Sequence, residues 1–240
     1  MLATAKSLKR VDQFTPEECA ALADQFESQS AEVLLTWAVE CFAPRLVMTS
    51  SFGPEGIVLI DLLSRIKSDI PVIYLDTGFH FAATTAVKDA VRERFNLNLI
   101  EQRATLSVEQ QAALYGPQLY RTQPDLCCQI RKVEPLREAL HGYEGWLVAL
   151  RRDQSATRAN IRKIEWNAKH SMVKINPLAD WTRNQIWAYL LDHKLPYNLL
   201  HDEGYTSIGC EPCTQPTQTG QHERDGRWAG SGKQECGLHL

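Results

Sequence analysis

Five of the seven cysteines stand where their spacing could do chemistry. Cys127 and Cys128 are adjacent, and Cys210-Glu211-Pro212-Cys213 forms a CxxC motif far downstream, so the four thiols meet only if the chain folds back on itself. Together they read as ligands of a metal centre. Zinc favours paired CxxC ligands at four tetrahedral corners, and adjacent cysteines chelate one zinc poorly because their side chains diverge. An iron–sulfur cube spreads its thiolate positions over several ångströms and accepts more varied spacing. The spacing therefore favours a cluster, with zinc and buried free thiols as the alternatives. A redox dithiol is the remaining reading of the CxxC, but it does not follow the first strand of a thioredoxin-like pattern. Cys236 stands apart, near the C-terminus, and reads as the reacting thiol. Gly237 leaves its backbone pliable, Lys233 and His239 add positive charge that favours thiolate, and Glu235 opposes it. Cys19 and Cys41 read as buried small hydrophobes.

The elements that must position these thiols follow from pattern. At 240 residues, 44% hydrophobic and 23% charged, the composition is that of an ordinary globular chain able to bury a core without disulfide staples. A net charge of −3 argues against a general nucleic-acid binder. Apolar runs such as Trp146–Leu150 are too short for a membrane span, and the basic N-terminal stretch has no apolar core of signal-peptide length. The expected setting is therefore the cytoplasm, and in that reducing compartment an odd number of cysteines reads as metal or catalytic ligands rather than a disulfide framework.

Residues 1–42 read as helical, with a helix start at Thr15-Pro16-Glu17-Glu18. Strand-like runs at 45–49, 71–75, 98–100, 145–150 and 173–176 alternate with helical patterns at 57–66, 80–95 and 106–120 and with a helix from Thr182 to about His193, opened by a Thr182/Gln185 capping box. This alternation predicts an α/β fold with a parallel sheet and a ligand crevice at the carboxyl ends of its strands. Three loops fall at such ends: Ser50–Gly56, Asp76–Gly78 and Arg151–Ser155. The first suits phosphate held by backbone N–H groups and a helix N-terminus, although it is neither a GxxxxGK[ST] nor a GxGxxG motif. Arg158, Arg162 and Lys163 extend the positive charge. Residues 1–205 read as an α/β nucleotide-binding unit with N-terminal helices. Residues 206–240 read as a C-terminal segment of the same domain, ending in a mobile tail.

Seven motifs together resemble one family: SSFGPEG (50–56), LDTG (75–78), the cysteine pair followed by Arg131-Lys132, LRRDQS (150–155), CEPC (210–213), HERDGRW (222–228) and ECGLH (235–239). The chain is similar to the assimilatory adenylyl-sulfate (APS) and phosphoadenylyl-sulfate (PAPS) reductases, of the adenine-nucleotide α-hydrolase-like, PP-loop class. The resemblance implies that parallel-sheet fold with a flexible tail closing over the nucleotide. It implies a 4Fe-4S cluster on Cys127, Cys128, Cys210 and Cys213, and Cys236 as nucleophile. Ser50, Ser51, Gly53, Asp76, Gly78, Arg151 and Arg152 then fall on nucleotide-binding loops, and Lys132, Arg224 and Arg227 face the phosphosulfate. Arg158, Arg162 and Lys163 become candidates for a 3′-phosphate contact.

The implied activity is thioredoxin- or glutaredoxin-dependent reduction of APS to sulfite and AMP through an S-sulfocysteine, serving cysteine biosynthesis. Cations on the anionic sulfuryl oxygens would remove the repulsion that an approaching thiolate meets. The paired cysteines are the family feature associated with APS, while PAPS, or both substrates, is the alternative. A homo-oligomer is compatible with the resemblance. Two departures bear on it. FGPEG stands where ATP-cleaving relatives have SGGxDS, which argues against magnesium-dependent ATP cleavage. Trp228-Ala229-Gly230 replaces an aromatic run in the tail. From other classes, a metal-stabilised nucleotide-binding module without turnover and an ATP-dependent tRNA sulfur-transfer enzyme compete with this reading. Cys236 discriminates against the first, and the loop and the net charge against the second.

Overall fold

The computed structural model describes residues 14–239; the expected helicity of residues 1–13 lies outside them. Helix α1 (Pro16–Phe26) starts as its sequence dictates. The Thr15 hydroxyl accepts the Glu18 amide and the Glu18 carboxylate accepts the Thr15 amide, with Pro16 at the first helical position. Helix α2 (Ala31–Phe42) is capped by Ser30 and buries Leu34, Leu35, Ala38 and Phe42 along one stripe. Strand β1 (Leu46–Thr49), helix α3 (Pro54–Ser64), strand β2 (Val72–Asp76), helix α4 (Ala82–Phe95) and strand β3 (Leu99–Arg103) then alternate.

A run of short helices follows: α5 (Val108–Tyr115), α6 (Leu119–Thr122), α7 (Pro124–Cys128), a π-helical turn at Gln129–Val133 and α8 (Glu134–Ala139). Strands β4 (Gly145–Leu147), β5 (Ile164–Asn167) and β6 (Met172–Ile175) complete the sheet, and α9 (Arg183–Asp192) packs on α3. The six strands lie in the order β3-β2-β1-β4-β6-β5. All neighbours are parallel except β5, which runs antiparallel to β6, pairing Ile164 with Ile175. The chain winds outward from β1 to β3, then returns to lay β4 on the other side of β1. This reversal opens a crevice beyond the carboxyl ends of β1 and β4, the usual ligand position in such sheets.

The pleat sets the two cores. Leu46 and Met48 of β1 point into the layer built with α2, α3 and α9, whereas Val47 points into the opposite layer with Ile73, Trp146, Leu136 and Leu140. This is the period-two alternation of a strand buried on both faces. Helix α3 is buried along nearly its whole length.

Several boundaries depart from the sequence pattern. Helix α3 begins at Pro54, earlier than the apolar periodicity alone, because proline is pre-set for the first helical position. The helix expected over 106–120 ends at Tyr115, where Gly116 turns the chain at φ 89°. Strand β5 occupies a stretch whose charge masked it. Its neighbour Lys163 is buried, donates to the Gln29 carbonyl at 2.6 Å and pairs with Asp180 at 2.8 Å. Among the described residues no helix is long and apolar enough to cross a membrane.

The Thr182/Gln185 capping box forms as the sequence indicates. Thr182→Ala is expected to lower stability by about 1 kcal/mol. Thermal or urea denaturation will measure the loss.

Candidate functional site

The loop after β1 is shaped by close backbone approach. The Ser50 hydroxyl accepts the Phe52 amide at 3.0 Å, and Phe52 takes a left-handed φ of 56° that only buried packing sustains in a bulky residue. Gly56 lies against this turn; a β-carbon there would come within 2.5 Å of Ser50 Oγ. The turn delivers the chain to the N-terminus of α3, where Gly53 supplies no capping side chain. First-turn amides therefore remain available beside the crevice, the arrangement that favours anions.

A cavity of about 210 Å³ fills the crevice. Ser50, Ser51 and Gly53 line it from the β1 loop, Lys132 from the π-helical turn, and Arg224, Arg227 and Cys236 from the C-terminal segment. Seven of the site residues expected from sequence thus meet around one space. Trp146, His80, His201 and Arg183 also line it. Arg158, a candidate for a 3′-phosphate contact, lines it as well, whereas Asp76, Gly78, Arg151 and Arg152 lie off the cavity lining. Asp76 accepts from Arg103 at 2.8 Å and from the Gly78 amide at 3.0 Å, shaping the β2 loop. Arg151 is fully buried and engaged by Glu55 at 2.8 Å, Glu223 at 2.8 Å and Asp153. It ties the β4 loop to α3 and to the C-terminal segment. Arg152 turns away and grips the Glu27 carboxylate with both terminal nitrogens.

The cations divide into satisfied and open ones. Lys132 is held charged: burial opposes protonation, but the thiols of Cys210, Cys236 and Cys128, when ionised, outweigh it and raise its pKa. Burial lowers Arg224 to about 10, with Arg158 and Arg227 adding repulsion and Glu235 opposing it. The Nε atoms of Arg224 and Arg227 are buried without an acceptor among the described residues. Trp228 packs under both, with the Arg227 guanidinium carbon 4.6 Å from its ring centroid. Arg227 fits because Gly209 has no side chain: a β-carbon there would overlap its guanidinium.

Two charges near Cys236 differ from the sequence expectation. His239 is buried and stacked on Trp146 at 5.5 Å, and burial drives its pKa well below the usual histidine range, so it adds no positive charge. Lys233 is paired with Asp125. The charge of Glu235, expected to oppose thiolate formation, is taken up by Arg158 and Arg224.

The four cysteine-motif thiols line a second, smaller pocket, with Phe79, Tyr120 and Arg131 around it. The CEPC loop is fastened to the β2 loop by the Glu211 amide on the Phe79 carbonyl at 2.7 Å. Thr77 Oγ1 accepts the Phe79 amide and lies within hydrogen-bond distance of Cys210 Sγ, 3.4 Å away. Gln111 donates to Cys127 Sγ at 3.9 Å and in turn accepts from Arg131 at 2.7 Å. Arg131 also donates to the Leu106 and Ser107 carbonyls, bracing α5 against the cysteine turn. Burial pushes Cys128 and Cys213 up to about 11, so these thiols keep their protons unless a metal takes their place. None of the seven cysteines is in a disulfide, and among the described residues no three His, Cys, Asp or Glu side chains converge tightly enough to hold a metal ion. Lys132 and Trp228 line both pockets.

A mostly parallel sheet with this reversal, carrying an open helix N-terminus beside its crevice, is the PP-loop class of nucleotide-binding folds. Residues 45–216 match the phosphoadenosine phosphosulfate reductase domain, and the chain belongs to that family. It is 49% identical over 232 residues to phosphoadenosine 5′-phosphosulfate reductase of Gloeobacter violaceus, with 95% of each chain covered. It is 48% identical over 207 residues to adenosine 5′-phosphosulfate reductase of Bacillus velezensis, covering 86% of this chain and 89% of that one. The crystal structure of phosphoadenylyl-sulfate (PAPS) reductase from Candida auris, a phosphate complex, superposes with a TM-score of 0.76 at 31% identity, over 85% of this chain and 98% of that one.

Gly209→Ala is expected to displace Arg227 while leaving the sheet intact. Nucleotide turnover should fall on the order of 10-fold to 100-fold, the effect of a misplaced charged contact, with an unchanged circular dichroism spectrum. Steady-state kinetics on the folded variant will measure it.

Proposed function

We propose that this protein reduces adenylyl sulfate (APS) to sulfite and AMP, with a dithiol protein of the thioredoxin or glutaredoxin kind as electron donor, in assimilatory sulfate reduction. The observation that carries the reading is the meeting of Cys236 with Lys132, Arg224 and Arg227 around one cavity beside an uncapped helix N-terminus. A thiolate approaching a sulfuryl group is repelled by its anionic oxygens. Cations fixed on those oxygens remove the repulsion and stabilise the charge that develops on the departing phosphate.

The Cys236 thiolate attacks the sulfuryl sulfur. The new S–S bond forms as the S–O bond to the phosphate breaks, and AMP leaves with that electron pair. A donor thiolate then attacks Cys236 Sγ, and sulfite leaves with the electrons of the S–S bond. The second donor thiol resolves the mixed disulfide, restoring Cys236 and leaving the donor oxidised by two electrons. Ser50, Ser51 and Gly53 hold the nucleotide from the β1 loop. Asp76, Gly78 and Arg151 set the shape of that site from behind, and Arg152 fastens the β4 loop to Glu27. We read residues 1–205 and 206–240 as one catalytic domain, because the second segment supplies the nucleophile and two cations. Seven cysteines without a disulfide suit a reducing cytoplasm.

APS is favoured over its 3′-phosphorylated form by the fate of the candidate cations. Arg158 is held by Glu235, Arg162 by Asp24 and Lys163 by Asp180, so each already has an acid.

For the cysteine pocket we propose a 4Fe-4S cluster on Cys127, Cys128, Cys210 and Cys213. Four thiols around one pocket, two of them on adjacent residues whose side chains diverge, suit a polynuclear group better than zinc. Such a cluster, when bound, supplies a fixed local field and ties the π-helical turn that carries Lys132. Gln111 donates to Cys127 Sγ, and the Thr77 hydroxyl is in hydrogen-bond reach of Cys210 Sγ.

Mixing with APS and then with PAPS, followed by intact mass and peptide mapping, is expected to give one SO3 adduct on Cys236 with APS. An adduct with PAPS alone reverses the substrate assignment. Cys236→Ser should reduce sulfite release by roughly 10³-fold or more; full activity in that variant overturns the nucleophile. Anaerobically purified protein is expected to be brown, with about four irons per chain, and Cys210→Ser to lower that content; a colourless protein loaded with zinc removes the cluster.

A further inference from the structure

Cys236 is suspended between two unlike anchors. Downstream, Leu238 packs into the layer of Leu136 and Trp146, His239 stacks on Trp146, and Lys169 donates to the Gly237 carbonyl at 3.3 Å. That anchor is mainly apolar and backbone-mediated. Upstream, Lys233 pairs with Asp125 and the Gln234 carbonyl accepts from Arg224 at 3.0 Å, but the contact nearest the thiol is made by one carboxylate. Glu235 Oε1 accepts from Arg158 Nε at 2.8 Å and Thr157 Oγ1 at 3.1 Å, and Oε2 accepts from Arg158 Nη2 at 2.9 Å and Arg224 Nη2 at 3.0 Å. Arg158 is steadied in turn by Gln154, which it meets at 2.5 Å.

The side chains of Glu235, Arg158 and Arg224 are only 10%, 11% and 13% exposed. The fork is therefore shielded from water, unlike a surface pair. Its carboxylate belongs to the residue immediately before the nucleophile, so its position is transmitted to Cys236 through one peptide unit.

We propose that Glu235, gripped by Arg158, Arg224 and Thr157, is a positioning residue: a charge latch that holds Cys236 down for attack on the sulfuryl group and must open before a donor thiol can reach it. The proposal rests on the reading of Cys236 as nucleophile. The two half-reactions make opposite demands. Loading needs the thiolate aimed into the cavity, and discharge needs the same sulfur approachable from outside. Cys236 is partly buried as it stands. Removing the latch charge therefore slows loading and leaves discharge equal or faster, a split that general loosening of the fold does not produce.

Glu235→Gln and Arg158→Lys are to be followed in single turnover, with loading read as the SO3 adduct on Cys236 and discharge as its loss on adding reduced thioredoxin. In parallel, hydrogen exchange is measured over the peptide that contains residues 231–237. Loading in Glu235→Gln is expected to fall on the order of 10-fold to 100-fold, with discharge equal to or faster than wild type and the melting temperature unchanged. Tail exchange is expected to rise on the order of 10-fold. Arg158→Lys, which keeps the charge but loses the fork, should fall between, and the swap of Arg158→Glu with Glu235→Arg should recover tail protection. Unchanged loading, or loading and discharge falling together with the melting temperature, overturns the latch. Exchange is independent of chemistry. If wild type takes no adduct while Glu235→Gln still unprotects the tail, the nucleophile reading fails, and with it the latch's role in loading, although Glu235 still holds the tail; if wild type takes the adduct and exchange is unchanged in the variant, the latch alone fails.

Discussion

A charge taken out of water must be met by an opposite charge, and that constraint orders this molecule's site. Arg151, wholly buried, has Glu55, Asp153 and Glu223. Arg158 has Glu235. Lys132 has the cysteine thiols around it. Arg224 is half met by Glu235, and Arg227 has an aromatic face and a 3.5 Å contact with Ser207. Positive charge is thus satisfied at the back of the crevice and left open at its mouth. An anion entering there completes a balance the fold has left incomplete, and this explains why these side chains are held so close together in an overall acidic protein.

The sheet provides the rigid half of this arrangement and the C-terminal segment the other half. The strand reversal between β1 and β4 sets two loops and a helix N-terminus around one space. The segment from Tyr205 onward then crosses that space, attached at several separate points: Glu211 on Phe79, Glu223 on Arg151, Glu235 on Arg158 and His239 on Trp146. Most of these are polar or charged contacts rather than core packing.

Much of this was legible in the chain. Alternating strand and helix patterns located five of the six strands, and both capping boxes read from sequence formed because they are local, needing only residues three apart. The cysteine motifs and the tail basic residues pointed to one place because their types are uncommon and their chemistry narrow. What escaped notice was decided by tertiary pairing. Arg151 and Arg152 are adjacent and look alike, yet one is locked inside by three acids and the other faces Glu27 across the molecule. Strand β5 was hidden because Arg162 and Lys163 suggest solvent, whereas Lys163 is buried on a carbonyl and an aspartate from distant segments. The Glu235 fork joins residues far apart in sequence, and no local spacing announces it. His239 looked like a cation until stacking on Trp146 removed it from water.

Trp228 and Lys132 form a party wall. The same indole and the same ammonium face the crevice on one side and the cysteine pocket on the other. Any occupant of either chamber must push on, or draw charge toward, a partition that the other chamber shares. Thermodynamic linkage then requires the influence to be mutual: whatever a nucleotide does to the affinity of the sulfur-lined chamber for its contents, those contents do in equal measure to the nucleotide.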